Sequence, residues 1–309
     1  MPTVVDNENH SDYVSNAPNY QSISVLSVIC QKQDLGDLEI YYEEEGEGEP
    51  ILLAPASWWP SNAWNVAVVP FLSKRFKTII FDCRGTGRSS KPKDGYTVAQ
   101  FAQDGIGLLG KLGISRCHAV GFALGGQIAQ AMAIERPDLV ATLTIAASGS
   151  GAKTLSGGQR NVSPDTEREI HDMGFERYIR AYVENDTTAF NPKFYQEHGE
   201  VVAALASAVW SGQSTVEVFR RHEDARLTWD TLAKAAEVSV PALILCGAAD
   251  NVSRRGSTPV GTARRLAELT PGAELFLIPN VKHMTFWDGT AGLSALQDFL
   301  ERHPILANR

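Results

Sequence analysis

The chain is short of several things, and each shortage closes a class of function. Only four of its 309 residues are cysteine, at positions 30, 83, 117 and 246, without metal-ligand spacing. That excludes a disulfide-stapled scaffold and a zinc site, and leads to the expectation of reduced thiols buried in apolar runs. Positive charge is scarce too. Lys and Arg number 28 against 36 Asp and Glu, a formal net charge of −8. This balance argues against nucleic acid or an anionic membrane surface as a partner. No apolar run approaches the length of a membrane span. The first 19 residues carry Asp6, Glu8 and Asp12 and no Lys or Arg, so the basic start and apolar middle of a secretory signal are missing. A cytoplasmic protein is expected. Gly85-x-Gly87 lacks the third glycine, and the helix directly after it, of a dinucleotide fingerprint. No Gly-Lys-Ser/Thr phosphate loop, internal repeat or low-complexity tract occurs. Neither a cofactor nor a metal is expected.

What is present is an ordinary globular composition, 43% hydrophobic and 21% charged, enough for one large α/β domain with an insertion. Residues 1–22 read as a polar arm, with Tyr13 and Tyr20 as anchors for a second copy, so a homo-oligomer is expected. Strands are predicted over 24–29, 38–43, 51–54, 78–83, 139–147, 242–246 and 274–278. Ser61 is a candidate cap for a helix through Phe71, and Thr97 for one that stops near Gly113. Further helices fall over 259–269 and 293–302. Strand and helix alternate as in a doubly wound, mostly parallel sheet with helices on both faces. The rhythm breaks at Ser148-Gly149-Ser150-Gly151. From there the pattern is helical over 168–184, 196–211, 214–225 and 229–236. An insertion of this kind lies over the carboxyl ends of the strands, where ligands bind. Residues 152–236 therefore read as a helical cap on a core made of 23–151 and 237–309.

The chemistry centres on residues 117–133, Cys-His-Ala-Val-Gly-Phe-Ala-Leu-Gly-Gly-Gln-Ile-Ala-Gln-Ala-Met-Ala. A short apolar run enters Gly121-Phe122-Ala123-Leu124-Gly125-Gly126 and a helical pattern leaves it, the form of a sharp strand-to-helix turn. Glycines at 121 and 125 let strand and helix approach closely around a strained apex. In the G-x-S-x-G elbow the apex is a nucleophilic serine. Here it is Ala123, so a single hydroxyl is the most telling absence in the chain.

Two later loops supply what such a serine would need. Asp250 follows the run 242–246, and His283 follows 274–278. An imidazole takes the proton of a serine hydroxyl and hands it to the leaving group. A carboxylate on its other nitrogen fixes the tautomer and stabilises the imidazolium. Singly, Asp250 is a loop residue and His283 one of seven histidines. Together, at consecutive strand ends and in the order elbow, acid, histidine, they read as functional. An oxyanion hole requires two backbone N–H groups; Leu124, at the start of its helix, and Ser57, in the loop Pro55-Ala56-Ser57-Trp58-Trp59, are the candidates. Trp58, Trp59, Phe122, Trp210, Met284, Phe286 and Trp287 are candidates to wall an apolar pocket, with core packing the bland alternative for each. His171, His198 and His222 lie far apart in the insertion and read as solvated.

These residues resemble the α/β-hydrolase superfamily over about 24–305. The run Asp82-x-Arg84-Gly85-x-Gly87-x-Ser89, the elbow, Asp250 and His283 occupy the family's places in the family's order. Pro55-Ala56 stands where the family usually has His-Gly. That proline, after the lead-in Tyr41 to Gly48, is similar to lactonases that open the macrolactone zearalenone, and the pattern also resembles enol-lactonase-like hydrolases. The resemblance implies hydrolysis of a carboxylic ester, most concretely a bulky apolar lactone, through an acyl-enzyme. Ala123 cannot form one. Three explanations stand: a Ser-to-Ala inactive variant, a natural ligand-binding homologue, or a cofactor-independent oxygenase or lyase run by a His–Asp dyad. The first is preferred because the rest of the apparatus is complete.

Overall fold

The computed structural model describes residues 29–149, 162–185, 188–211, 214–250 and 259–305. The expected arm, most of the first expected strand and the first ten residues of the expected cap lie outside the described residues. Eight strands form one sheet: β1 (Ile29–Asp34), β2 (Glu39–Glu45), β3 (Pro50–Ala54), β4 (Lys77–Phe81), β5 (Cys117–Phe122), β6 (Val140–Ala146), β7 (Ala242–Gly247) and β8 (Glu274–Ile278). Their order is β1-β2-β4-β3-β5-β6-β7-β8. The antiparallel pairs are β1 with β2 and β2 with β4; from β4 to β8 every neighbour is parallel.

The parallel strands are continuous apolar runs because both faces are covered, and alternation decides which face each residue serves. Ile51 and Leu53 point into one apolar cluster, with Val120 and Phe122. Leu52 and Ala54 point into the other, with Ala119. The second cluster is closed by α2 (Val98–Lys111) and α3 (Leu124–Glu135). The first is closed by a 3₁₀ segment (Ser61–Val66), α1 (Val68–Leu72) and α10 (Ala291–Arg302), while α9 (Pro259–Leu269) joins the second.

Thr97 caps α2 as expected, accepting from the Gln100 N–H at 3.1 Å. Ser61 does not cap. Its hydroxyl and its N–H both donate to Asp82 Oδ1 at 2.7 Å, and the segment behind it is 3₁₀ followed by a short helix. The buried carboxylate outcompetes the helix start for that hydroxyl. Three cysteines are buried thiols, but Cys30, on the sheet's outermost strand, is exposed.

Between β6 and β7 the chain forms α4 (Pro164–Met173), α5 (Phe175–Val183), α6 (Pro192–Glu197), α7 (Gly199–Trp210) and α8 (Val216–Ala225). The expected helix over 168–184 breaks at Gly174, whose φ of 84° a helix cannot contain. The one expected over 229–236 is turns and a 3₁₀ segment instead; Trp229 sends its Nε1–H to Gln130 Oε1 at 2.8 Å and so packs on the core. The buried residues Ile179, Val183, Val202, Leu205 and Phe219 share one apolar cluster with Trp58, Phe122 and Met284 of the core.

Candidate active site

At the carboxyl end of β5 the backbone turns on Ala123, with φ 52° and ψ −113°. A non-glycine residue stays in such a conformation only when its surroundings force it. The forcing is visible. A Cβ on Gly121 would lie 1.9 Å from the Gly125 carbonyl oxygen, and one on Gly125 would lie 2.0 Å from that of Ala54. The apex is tied by its N–H to the Ala146 carbonyl at 2.9 Å and by its own carbonyl to the Ser148 hydroxyl at 2.7 Å. Of residues 117–133, Ala123 alone is not buried. The apex is therefore the open point of an otherwise closed segment. Leu124 begins α3, where the first N–H groups have no helical acceptor and the dipole favours negative charge.

The contact of Gly125 with Ala54 and Pro55 sets the loop after β3 against this helix start. Ser57 is buried there, and its hydroxyl has no hydrogen-bond partner among the described residues. Trp58, the next residue, sits at φ 54°.

The acid and the histidine meet. Glycine at 247 lets the two loops touch, since a Cβ there would lie 2.1 Å from the Lys282 carbonyl oxygen. The Ala249 N–H donates to the Val281 carbonyl at 2.9 Å, which fixes their register. His283 Nδ1 then lies 2.9 Å from Asp250 Oδ2, and Asp250 is buried. A carboxylate can only accept, so Nδ1 carries a proton and, in the neutral imidazole, Nε2 keeps its lone pair. Nε2 makes no hydrogen bond among the described residues. The imidazole packs on the Phe122 ring, centroids 5.3 Å apart, which brings it beside the elbow.

The expected pocket residues divide. Trp58, Trp59 and Phe122 form a chain of ring contacts that ends at His283. Phe286 and Trp287 are fully buried behind it, around Trp64; Trp287 stacks on that indole at 5.3 Å and donates to the Ala63 carbonyl at 3.0 Å. Met284 is fully buried as well, its N–H on the Ala189 carbonyl at 3.0 Å. Trp210 ends α7, and its ring meets that of Phe175, which starts α5, at 6.1 Å. The motif after β4 is a brace. Asp82 accepts from Ser61 and Arg88, and buried Arg84 holds Asp104 with two bonds of 2.7 and 2.6 Å.

One side chain contradicts its sequence reading and another had none. His222 is not solvated, for it is fully buried. It lies on α8 with Val218, Phe219 and Ala225, a 3–4 spacing that marks the apolar stripe and was there to be read. Burial is the main cause that pulls its pKa down to about 4. Asp288 accepts from the Asn191 N–H at 2.7 Å and so joins the histidine loop to the start of α6. Burial, offset in part by donors from Asn191 and Lys282, lifts its pKa to about 6. No local pattern announces that role. No cluster of three or more His, Cys, Asp or Glu fit to hold a metal occurs among the described residues, and no helix among them is long and apolar enough to cross a membrane.

A family model for the alpha/beta hydrolase fold matches residues 54–290. The provisionally named carbamate hydrolase RutD of Azorhizobium caulinodans is 26% identical over 240 residues, covering 78% of this chain and 86% of that protein. Among solved structures, Est816, described as an N-acyl homoserine lactone degrading enzyme, superposes with a TM-score of 0.70 at 25% identity, covering 87% of this chain and all of the other. The enol-lactonase from Burkholderia xenovorans LB400 gives 0.71 at 22% identity, covering 88% of this chain and all of the other, a likeness of fold.

Proposed function

The chain belongs to the α/β-hydrolase fold family, and from that premise we propose that its site is built to hydrolyse a carboxylic ester, most concretely a bulky apolar lactone, and that Ala123 stands where the working enzyme has serine. The observation that carries this reading is the buried His283–Asp250 pair, 2.9 Å apart, beside a strained elbow whose apex alone is open. A pair so placed leaves a basic Nε2 with no partner among the described residues, which is the group an elbow hydroxyl would need. Ester, lactone and carbamate share an acyl carbonyl, and the relatives named for lactones and carbamates support that class.

In the serine form, the hydroxyl at 123 attacks the carbonyl while His283 Nε2 takes its proton. Asp250 holds the ring and stabilises the imidazolium. The N–H groups of Leu124 and Ser57 receive the oxyanion. His283 returns the proton to the leaving alkoxide, which in a lactone stays attached to the acyl chain. It then deprotonates the water that frees the acid. The aromatic run from Trp58 through Trp59 to Phe122 favours an apolar acyl or ring portion. Restoration is the test. Ala123→Ser should raise turnover of a suitable lactone by on the order of four to six powers of ten. A serine form inert against a broad panel of esters, lactones and carbamates overturns the reading.

A second reading rests on Ala123 itself. A His–Asp dyad without a nucleophile can act as a base in an oxygenase or lyase, or the pocket can bind without turnover. Oxygen consumption by the Ala123 chain, abolished by His283→Ala, marks the first of these. Tight binding of an uncleaved ligand whose site stays silent after Ala123→Ser marks the second.

A further inference from the structure

Trp58 belongs to the loop after β3 by sequence, yet its backbone is held by the segment between β6 and β7. Its N–H donates to His222 Nδ1 at 3.0 Å, and its carbonyl accepts from the Ser214 hydroxyl at 2.8 Å. Its ring packs on Tyr182 and Phe219, with centroids at 5.8 and 5.5 Å. His222 has one further bond, from Nε2 to the Arg84 carbonyl at 2.9 Å. A carbonyl can only accept, so Nε2 carries the proton and Nδ1 is the acceptor that the Trp58 N–H requires. One neutral tautomer satisfies both bonds, and its protonated form would set N–H against N–H. The ring packs on Phe101 and Tyr96, centroids at 4.9 and 5.8 Å, and is fully buried. The residue so clamped has φ 54°, a backbone that bulky side chains seldom adopt. The peptide that His222 grips by its N–H is the one joining Ser57 to Trp58.

We infer that His222 is a positioning residue for the oxyanion loop: from α8 it fixes the Ser57–Trp58 peptide, so that the loop is in working order only while the segment between β6 and β7 is docked. This rests on the hydrolase reading for its chemical consequence but not for its geometry, and the test separates the two. Asparagine places its Oδ1 near the position of ring Nδ1 and keeps the acceptor for Trp58. Glutamine places its amide nitrogen near ring Nε2 and keeps only the donor to Arg84. Each variant loses one buried hydrogen bond, so a merely structural role predicts equal effects.

In the Ala123 chain, hydrogen exchange at the Trp58 amide should quicken by about ten- to a hundredfold in His222→Gln and change only a few-fold in His222→Asn. With serine restored at 123, His222→Gln should lower kcat by about a hundredfold with KM nearly unchanged, as loss of an oxyanion donor does. His222→Asn should recover most of that loss. Equal exchange in the two variants overturns the clamp. Unequal exchange with equal kcat overturns its catalytic meaning. An inert serine form overturns the hydrolase reading alone, and the exchange comparison still decides the clamp.

Discussion

The core and the helices between β6 and β7 hold the site by different means. The core's share, at Ala123, Asp250 and His283, stands on three strand ends whose spacing the sheet dictates, locked by backbone packing too close for a side chain at Gly121, Gly125 and Gly247. The inserted segment adds to a shared apolar cluster a set of single hydrogen bonds onto core loops: His222 and Ser214 on Trp58, Ala189 on Met284, Asn191 on Asp288 and on the Asn280 carbonyl. A part fixed by sterics fails abruptly when altered. A part held also by separate polar bonds loosens in steps, and the steps at His222 and Asp288 depend on pH. Substitutions on the two sides should therefore differ in kind as well as in size.

The largest effects belong to the core groups to which the proposal assigns the chemistry. The Ala123→Ser chain is the reference. In that background His283→Ala and Asp250→Asn should each lower kcat by about three to four powers of ten, the first by removing the base and the second by spoiling the tautomer. Steady-state kinetics on one lactone read both. If Asp250→Asn leaves kcat within tenfold, the 2.9 Å contact with His283 is a structural pairing.

Next come the glycines of the elbow. Gly125→Ala sets a methyl group 2.0 Å from the Ala54 carbonyl oxygen, with backbone on both sides and no flexible side chain to yield. It should cost about 3 kcal/mol or more in denaturant unfolding. On the other side, Ser214→Ala removes one bond to Trp58 and should cost about 1 kcal/mol. Similar costs for the two would erase the contrast.

The same contrast explains what could be read beforehand. Elbow, acid and histidine were legible because each is a local signature bound to a strand end: Gly121 and Gly125 flanking the apex, Asp250 after 242–246, His283 after 274–278. Ser61 was misread because a helix cap is a local inference, whereas its partner, Asp82, lies 21 residues away. His222 reads as solvated when taken as a lone polar residue, although the spacing of Val218, Phe219 and Ala225 puts it on a buried stripe. What no spacing could supply was its partners, Trp58 at a sequence distance of 164 and Arg84 at 138. Helix boundaries failed at Gly174 and after Trp229, where a left-handed backbone and a contact with Gln130 overrode a helical pattern.

A pH-dependent effect separates His222 and Asp288 by sign. Burial lowers His222 from 6.5 to about 4, with Glu223 and the Arg84 carbonyl opposing. The folded chain then binds fewer protons than the unfolded one inside that window. Stability from this group is full above 6.5 and is lost as pH falls toward about 4. Asp288 runs the other way. Burial raises it from 3.8 to about 6 against Lys282 and His198, so its contribution is full below 3.8 and is lost as pH rises through about 6. Each is worth on the order of 3 kcal/mol at about 1.4 kcal/mol per pK unit. In the parent chain the two nearly cancel across the shared window. Urea unfolding at pH 4 and pH 7 should separate them. The stability difference, parent minus His222→Gln, should grow by about 2 to 3 kcal/mol between those values, while parent minus Asp288→Asn should shrink by about as much. Taking differences removes every other titrating group, and the constant cost of a lost hydrogen bond does not alter either slope. Two differences with the same slope would mean that one of these side chains is not held in the buried setting that its hydrogen bonds describe.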